Sequence, residues 1–298
     1  MSYFQSISVI SLVFLQIWFA GSCTRNGLER TPVRHATGYG ESSSAMDSLD
    51  LYDLAAPAWV FDLPKRLNEI SGMTIVGDSL LHVVQDERGR IYSINASTGK
   101  VVSDAKFGSS GDYEAIEAAN DSLYVLRSNG DLFVVPLADP GTRAKRIKTR
   151  LSASDDTEGL AFDVESGSLL IAQKESRSDA RAVFRYDFQE RTISESPVVS
   201  VSTKAIEQFI SRRAPKGRRY KPSGIAINPI DRNYYIVSSS WRLLVVVDRN
   251  GSLVQVAELS DKRIRQPEGI AFGSTGKLYL SSEARGKTAR IFVYNPLI

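Results

Sequence analysis

From about residue 58 onward the chain breaks into short runs in which apolar and polar positions alternate, closed by turn signals such as Ser97-Thr98-Gly99, Asn129-Gly130 and Asn250-Gly251. Period-two alternation bounded by Gly, Asn and Ser predicts strands joined by tight hairpins. One stretch departs from this pattern: over Thr203 to Ile210, Ile206, Phe209 and Ile210 share a helical face. The strands are grouped. A polar residue, a small residue and an apolar residue recur in order at Ile70-Ser71-Gly72-Met73, Tyr113-Glu114-Ala115-Ile116, Thr157-Glu158-Gly159-Leu160, Pro222-Ser223-Gly224-Ile225 and Pro267-Glu268-Gly269-Ile270. Measured between the small residues, the intervals are 43, 44, 65 and 45.

A period in the forties made of strands predicts an all-β, five-bladed β-propeller, in which each four-stranded unit buries its faces only against its neighbours. The small residue then marks the inner strand, where backbones approach closely and Gly or Ala fits. The residue before it is expected at the mouth of the channel. The fifth unit offers three strands, at Gly269, Leu278 to Ser281 and Arg290 to Tyr294. Ala58 to Leu63 is left over at the other end, so the last blade is expected to be closed by this N-terminal strand, which removes the sheet edges. The long interval exceeds its neighbours by about 21 residues, too few for another blade, and holds the helical stretch and a basic loop. The propeller is assigned to residues 57–298.

Composition adds little to the fold: 42% hydrophobic and 24% charged residues are ordinary for a globular domain. Net charge is +3, which by itself implies neither nucleic acid nor membrane. The N-terminus is more informative. Residues 1–22 carry no charged side chain, and Ile7 to Ala20 is an apolar run of signal-peptide length. It ends in Ala20-Gly21-Ser22-Cys23, small residues before the only cysteine of the chain, similar to a bacterial lipobox. The expectation is a signal peptide over 1–22, lipidation at Cys23, a flexible tether over 23–56 and an exported protein held to the cell envelope by lipid. A secreted or periplasmic soluble form is the alternative. Ala20 in place of Leu and the uncharged n-region depart from the lipobox pattern.

The five motifs together, with Glu69 ahead of the first and Asp112 ahead of the second, resemble the SdiA-regulated family, exported bacterial propellers distantly similar to NHL-repeat proteins. The resemblance spans roughly Trp59 to Leu297. It implies a five-bladed propeller with bound calcium and brings no established activity.

Candidate chemistry centres on Glu114, Glu158 and Glu268, each one residue before the small residue. Three carboxylates aimed at one axis repel one another, and a hard cation with oxygen ligands relieves that repulsion. Asp112 and Asp156, two residues ahead of ring glutamates, could add oxygens. The proposed cofactor is Ca²⁺; the competing reading is that these carboxylates pair with arginine or accept backbone N–H bonds. Asp86, Glu175 and Glu283, at the ends of second strands, read as turn residues or as part of the same face. His82 alternates with apolar neighbours as a core histidine does, and His35 lies in the tether. Two basic clusters, at residues 143–150 and 212–221, read as solvated loops. No P-loop and no Gly-x-Ser-x-Gly motif occurs.

Three functions fit. The first is a non-catalytic, calcium-binding lipoprotein propeller, monomeric, that presents a face to an unknown protein or small-molecule ligand. The second is a calcium-dependent hydrolase of lactonase or phosphoesterase type. The third is a polyanion-binding module, with nucleic acid disfavoured as its partner.

Overall fold

The computed structural model describes residues 48–210, 216 and 218–298. The expected signal peptide, Cys23, His35 and most of the tether lie outside the described residues. Five antiparallel sheets follow one another along the chain. The first is built from Ile70–Val76, Leu80–Gln85, Arg90–Asn95 and Val101–Lys106, the second from Tyr113–Ala119, Ser122–Arg127, Leu132–Pro136 and Lys145–Ile147. The third holds Thr157–Asp163, Ser168–Gln173 and Ala180–Asp187, whose outer edge pairs with both Thr192–Ile193 and Val199–Ser202. The fourth holds Pro222–Ile227, Tyr234–Ser238, Leu243–Val247 and Leu253–Glu258. In the fifth, Pro267–Phe272, Leu278–Ser282 and Arg290–Tyr294 are completed by Trp59–Asp62, with Phe61 opposite Ile291 and Val60 opposite Phe292. The five-bladed propeller and its closure by the leftover N-terminal strand are both as expected.

Position in the blade explains the apolar pattern. Inner and middle strands have a neighbouring blade on each face, so Leu243–Val247 is buried at every residue and reads as a continuous apolar run. Outer strands face solvent, as Val101–Lys106 does. The helix Thr203–Phe209 forms where the long interval predicts it, capped by Ser202 Oγ accepting from Ala205 N at 3.0 Å and anchored by buried Ile206.

The small residues are required by contact between consecutive inner strands. A Cβ on Gly72 would lie 2.5 Å from Ala115 Cα, and one on Gly269 would lie 3.1 Å from Met73 N, across the seam where the last blade meets the first. The residue before each small one has its own geometry. Strand pairing slips there in all five blades, at Ser71, Glu114, Glu158, Ser223 and across Glu268-Gly269. Each is a β-bulge, a device that re-aims a side chain away from the sheet's alternation. Below the bulges Met73, Ile116, Leu160, Ile225 and Ile270 narrow the channel to a void of about 10 Å³, which separates its two mouths.

Two expectations are corrected. Residues 49–54, placed in the tether, are folded: Leu49, Tyr52 and Leu54 are buried in the core, and Tyr52 Oη donates to Gly276 O at 2.6 Å. The segment is too short and mixed in polarity to show a period, and long-range packing decides its place. The basic cluster at residues 143–150 is also more than a loop. Lys145–Ile147 is the outer strand of the second blade, Arg146 pairs with buried Asp131, and Arg150 donates to the carbonyls of Ile193 and Ser194.

Candidate functional site at the channel mouth

Three positions per blade meet at the mouth above the bulges, and the strand register identifies them. The bulge residues are Ser71, Glu114, Glu158, Ser223 and Glu268. The residues just past the second strands are Asp86, Ser128, Lys174, Ser239 and Glu283, because Gln85, Arg127, Gln173, Ser238 and Ser282 occupy equivalent pairing positions. The residues three before the small one are Glu69, Asp112, Asp156, Lys221 and Gln266. Read by blade, the first, second and fifth each contribute two carboxylates. The third contributes two carboxylates and an ammonium; the fourth contributes a lysine and two serines.

The two bulge serines are structural. Ser71 Oγ donates to Tyr113 O at 2.7 Å and Ser223 Oγ to Pro267 O at 2.8 Å, each a tie to the next blade. The glutamates carry the electrostatics. Glu158 is 4% exposed and forms an ion pair with Lys174, whose side chain is 26% exposed. Glu114 is pushed up to about 8 by burial and by Asp112, with Asp156 adding and Lys174 opposing. Glu268 is raised well above the usual carboxylate range by burial and by Glu283. Glu283 itself is raised to about 7, by burial with Asp86 and Glu69 adding. Asp86 is raised to about 6 by burial and by Glu69, Glu87 and Asp112, and its Oδ1 is buried without a hydrogen-bond partner among the described residues. Asp112 accepts from Ser128 Oγ at 2.5 Å. Asp156 takes a left-handed φ of 46° and is raised by burial, with Glu175 and Asp112 adding and Lys174 and Lys221 opposing.

All five expected metal residues, Glu114, Glu158, Glu268, Asp112 and Asp156, therefore belong to one electrostatically connected mouth. Among the described residues no three carboxylates form a ready metal cluster. Asp86 and Glu283 join the mouth, whereas Glu175 stands one residue past that register and pairs with Lys221 and, at 3.5 Å, with Arg181. Sequence reasoning missed Lys174, whose ammonium acts on Glu114, Glu268, Glu283 and Asp156 together. Counting from the ends of the second strands, rather than looking for acids near them, would have found it.

The other mouth is different in kind. It is a recess of about 180 Å³ lined mainly by apolar side chains, among them Phe162, Ile227 and Phe272, with Glu117 at its wall. Burial pushes Glu117 up to about 8, against hydrogen bonds from Thr74 Oγ1 at 3.0 Å and Ala118 N at 3.1 Å. His82 is the expected core histidine, buried, with Nδ1 3.2 Å from Ser93 Oγ.

The family model described as SdiA-regulated matches residues 62–285. The chain belongs to the SdiA-regulated family. No curated protein matches it. Among solved structures, this SdiA-regulated propeller is similar to a luciferin-regenerating enzyme, with TM-score 0.53 and 12% identity over 81% of this chain and 96% of that one. Glutaminyl cyclase of Myxococcus xanthus gives TM-score 0.53 and 13% identity over 82% and 97% of the two chains. A Bacteroides thetaiotaomicron protein of unknown function gives 0.50 and 12% over 84% and 74%. At these identities the likeness is one of fold.

Proposed function

We propose that this SdiA-regulated propeller is a calcium-binding, non-catalytic protein of the cell envelope, tethered through lipid on Cys23, that presents its acidic mouth to a ligand or partner. The observation that carries the reading is the imbalance at that mouth. Carboxylates from four blades converge there, burial and mutual repulsion hold several of them back from ionising, and among the described residues Lys174 is the ammonium that acts on most of them. Their all-oxygen chemistry suits a hard divalent cation, which tolerates irregular geometry. Glu114, Glu158 and Glu268 would hold it, and Asp112 and Asp156 would add or orient oxygens. When bound, the ion supplies positive charge that lets these groups ionise together.

Titration calorimetry tests this directly. Calcium binding should release protons at pH 6, since raised carboxyls must ionise to bind, and should be lost in Glu268→Gln; absence of a calcium isotherm in the wild type would remove the metal from the account. For the anchor, Cys23→Ser should move the protein from the membrane to the soluble fraction, and retention of that variant would exclude lipidation as the tether. A calcium-dependent hydrolase is the second reading. It is favoured by Glu114, whose raised carboxyl could exchange a proton near neutral pH. Turnover of a lactone or phosphoester by the wild type, lost in Glu114→Gln, would replace the first reading.

A further inference from the structure

Beside the acidic mouth, the loops of the third, fourth and fifth blades enclose an open cleft of about 840 Å³. Its charged lining is entirely cationic. Lys174, Lys221 and Arg285 have carboxylate neighbours in Glu158, Glu175 and Glu283. Arg218, Arg219, Arg242, Lys262 and Arg265 have none among the described residues. Two of these five are held in place without being neutralised. Arg218 donates to Ser240 O at 2.8 Å, and Arg242 donates to the carbonyls of Leu259 and Asp261. Asp261, next to Lys262, has its carboxylate taken by Arg263 at 2.6 Å. Arg181, fully buried, adjoins the cleft: its Nε donates to Lys174 O at 2.5 Å, and burial lowers its affinity for a proton, with Glu175 at 3.5 Å opposing and Arg219 adding to that effect.

Like charges collected in one concavity repel, and loops free to spread them would do so. Here backbone carbonyls hold guanidiniums facing a space of small-ligand size. Arginine forks suit oxyanions, which accept paired charge-assisted hydrogen bonds. We infer that this cleft is a binding site for a ligand carrying two or more phosphate or sulfate groups, beyond the calcium reading and adjoining the acidic mouth, with which it shares Lys174, Lys221, Ser239 and Gln266. The phosphate chemistry could come from a soluble polyphosphorylated molecule or from a phosphorylated lipid headgroup.

The test uses the purified protein in chelator, so that calcium plays no part. Inorganic tripolyphosphate should bind by calorimetry and raise the melting temperature, with an affinity that falls as sodium chloride is added. The double variant Arg219→Gln/Arg265→Gln removes two exposed cations and should weaken binding at least about tenfold. Circular dichroism checks its fold, and Arg218→Gln/Lys262→Gln provides an independent pair. In parallel, phosphatidylcholine vesicles with and without lipid A are floated with the protein. Binding of tripolyphosphate alone assigns a soluble ligand, and binding of lipid A vesicles alone assigns a headgroup, provided that either is lost in the variants. No binding of either probe, or binding that both variant pairs retain, overturns the site. A protein that binds tripolyphosphate in chelator but shows no calcium isotherm would lose only the calcium reading.

Discussion

The acidic mouth and the basic cleft adjoin and share four residues, Lys174, Lys221, Ser239 and Gln266, yet they hold charge in opposite ways. Glutamates of the mouth sit on β-bulges of inner strands, mostly buried, with strand backbones fixing where they point. Cations of the cleft sit largely on exposed loops, and two that are oriented, Arg218 and Arg242, are held by backbone carbonyls of neighbouring loops. The mouth is thus a rigid, desolvated site in which charge is costly and protons compete for it. The cleft is a solvated site in which charge is cheap and a ligand must supply the order. This difference ranks what mutation should do to each.

The largest effect should come from the scaffold of the mouth. In Gly72→Ala the added Cβ meets only backbone, Ala115 Cα at 2.5 Å and Glu114 O and Ile116 N at 2.9 Å, so inner strands must move apart. A loss of about 3 kcal/mol is expected by chemical denaturation, as for overpacking in a core. Gly286→Ala, in the loop beside Arg285, meets nothing within 4 Å and bears only the strain of its φ of 76°. About 1 kcal/mol is expected there. Equal costs at the two positions would mean that the mouth and the cleft are equally rigid.

Charge removal should follow in the same order. Lys174→Met leaves buried Glu158 without its partner and the mouth without its shared ammonium, for a loss of about 2 kcal/mol in chelator at pH 8. Calcium should recover part of that loss. Arg265→Gln removes an exposed cation that has no carboxylate partner among the described residues, and should shift stability by less than about 0.5 kcal/mol. A large loss for Arg265→Gln with none for Lys174→Met would reverse the assignment of structural and ligand-facing charge.

The same contrast explains what could be read from the chain. Strand register repeats, so Glu114, Glu158 and Glu268 were visible as one set, as was Ala58 to Leu63 as the missing strand of the fifth blade. Lys174 is hidden in the sequence because the acid beside it, Glu175, lies one position out of register with Asp86 and Glu283. The cleft left no periodic trace: Arg218, Arg242 and Arg265 come from unlike loops whose meeting depends on how blades stack. Residues 49–54 are hidden for a related reason, since the two-residue strands Ser48–Leu49 and Tyr52–Asp53, which pair with each other, carry no period and Tyr52 is placed by distant partners, Gly276 and Asn228.

Thermal melting at pH 5 and pH 8, in chelator and in calcium, shows whether the mouth holds more negative charge than its own cations balance. Glu114, Glu283 and Asp86 have folded-state pKa values raised to about 8, about 7 and about 6, above the values of 4.5, 4.5 and 3.8 for the free groups. The folded protein therefore binds more protons than the unfolded chain across this range. The stabilisation is full below about pH 4 and is lost progressively as pH rises toward 8. Glu117, at the opposite mouth, adds in the same direction, so the measurement is made on Glu117→Gln as well. The melting temperature in chelator should be lower at pH 8 than at pH 5, a difference persisting in Glu117→Gln, reduced in Glu114→Gln, and reversed by calcium at pH 8. Identical melting of wild type and Glu114→Gln under all four conditions would contradict such an excess.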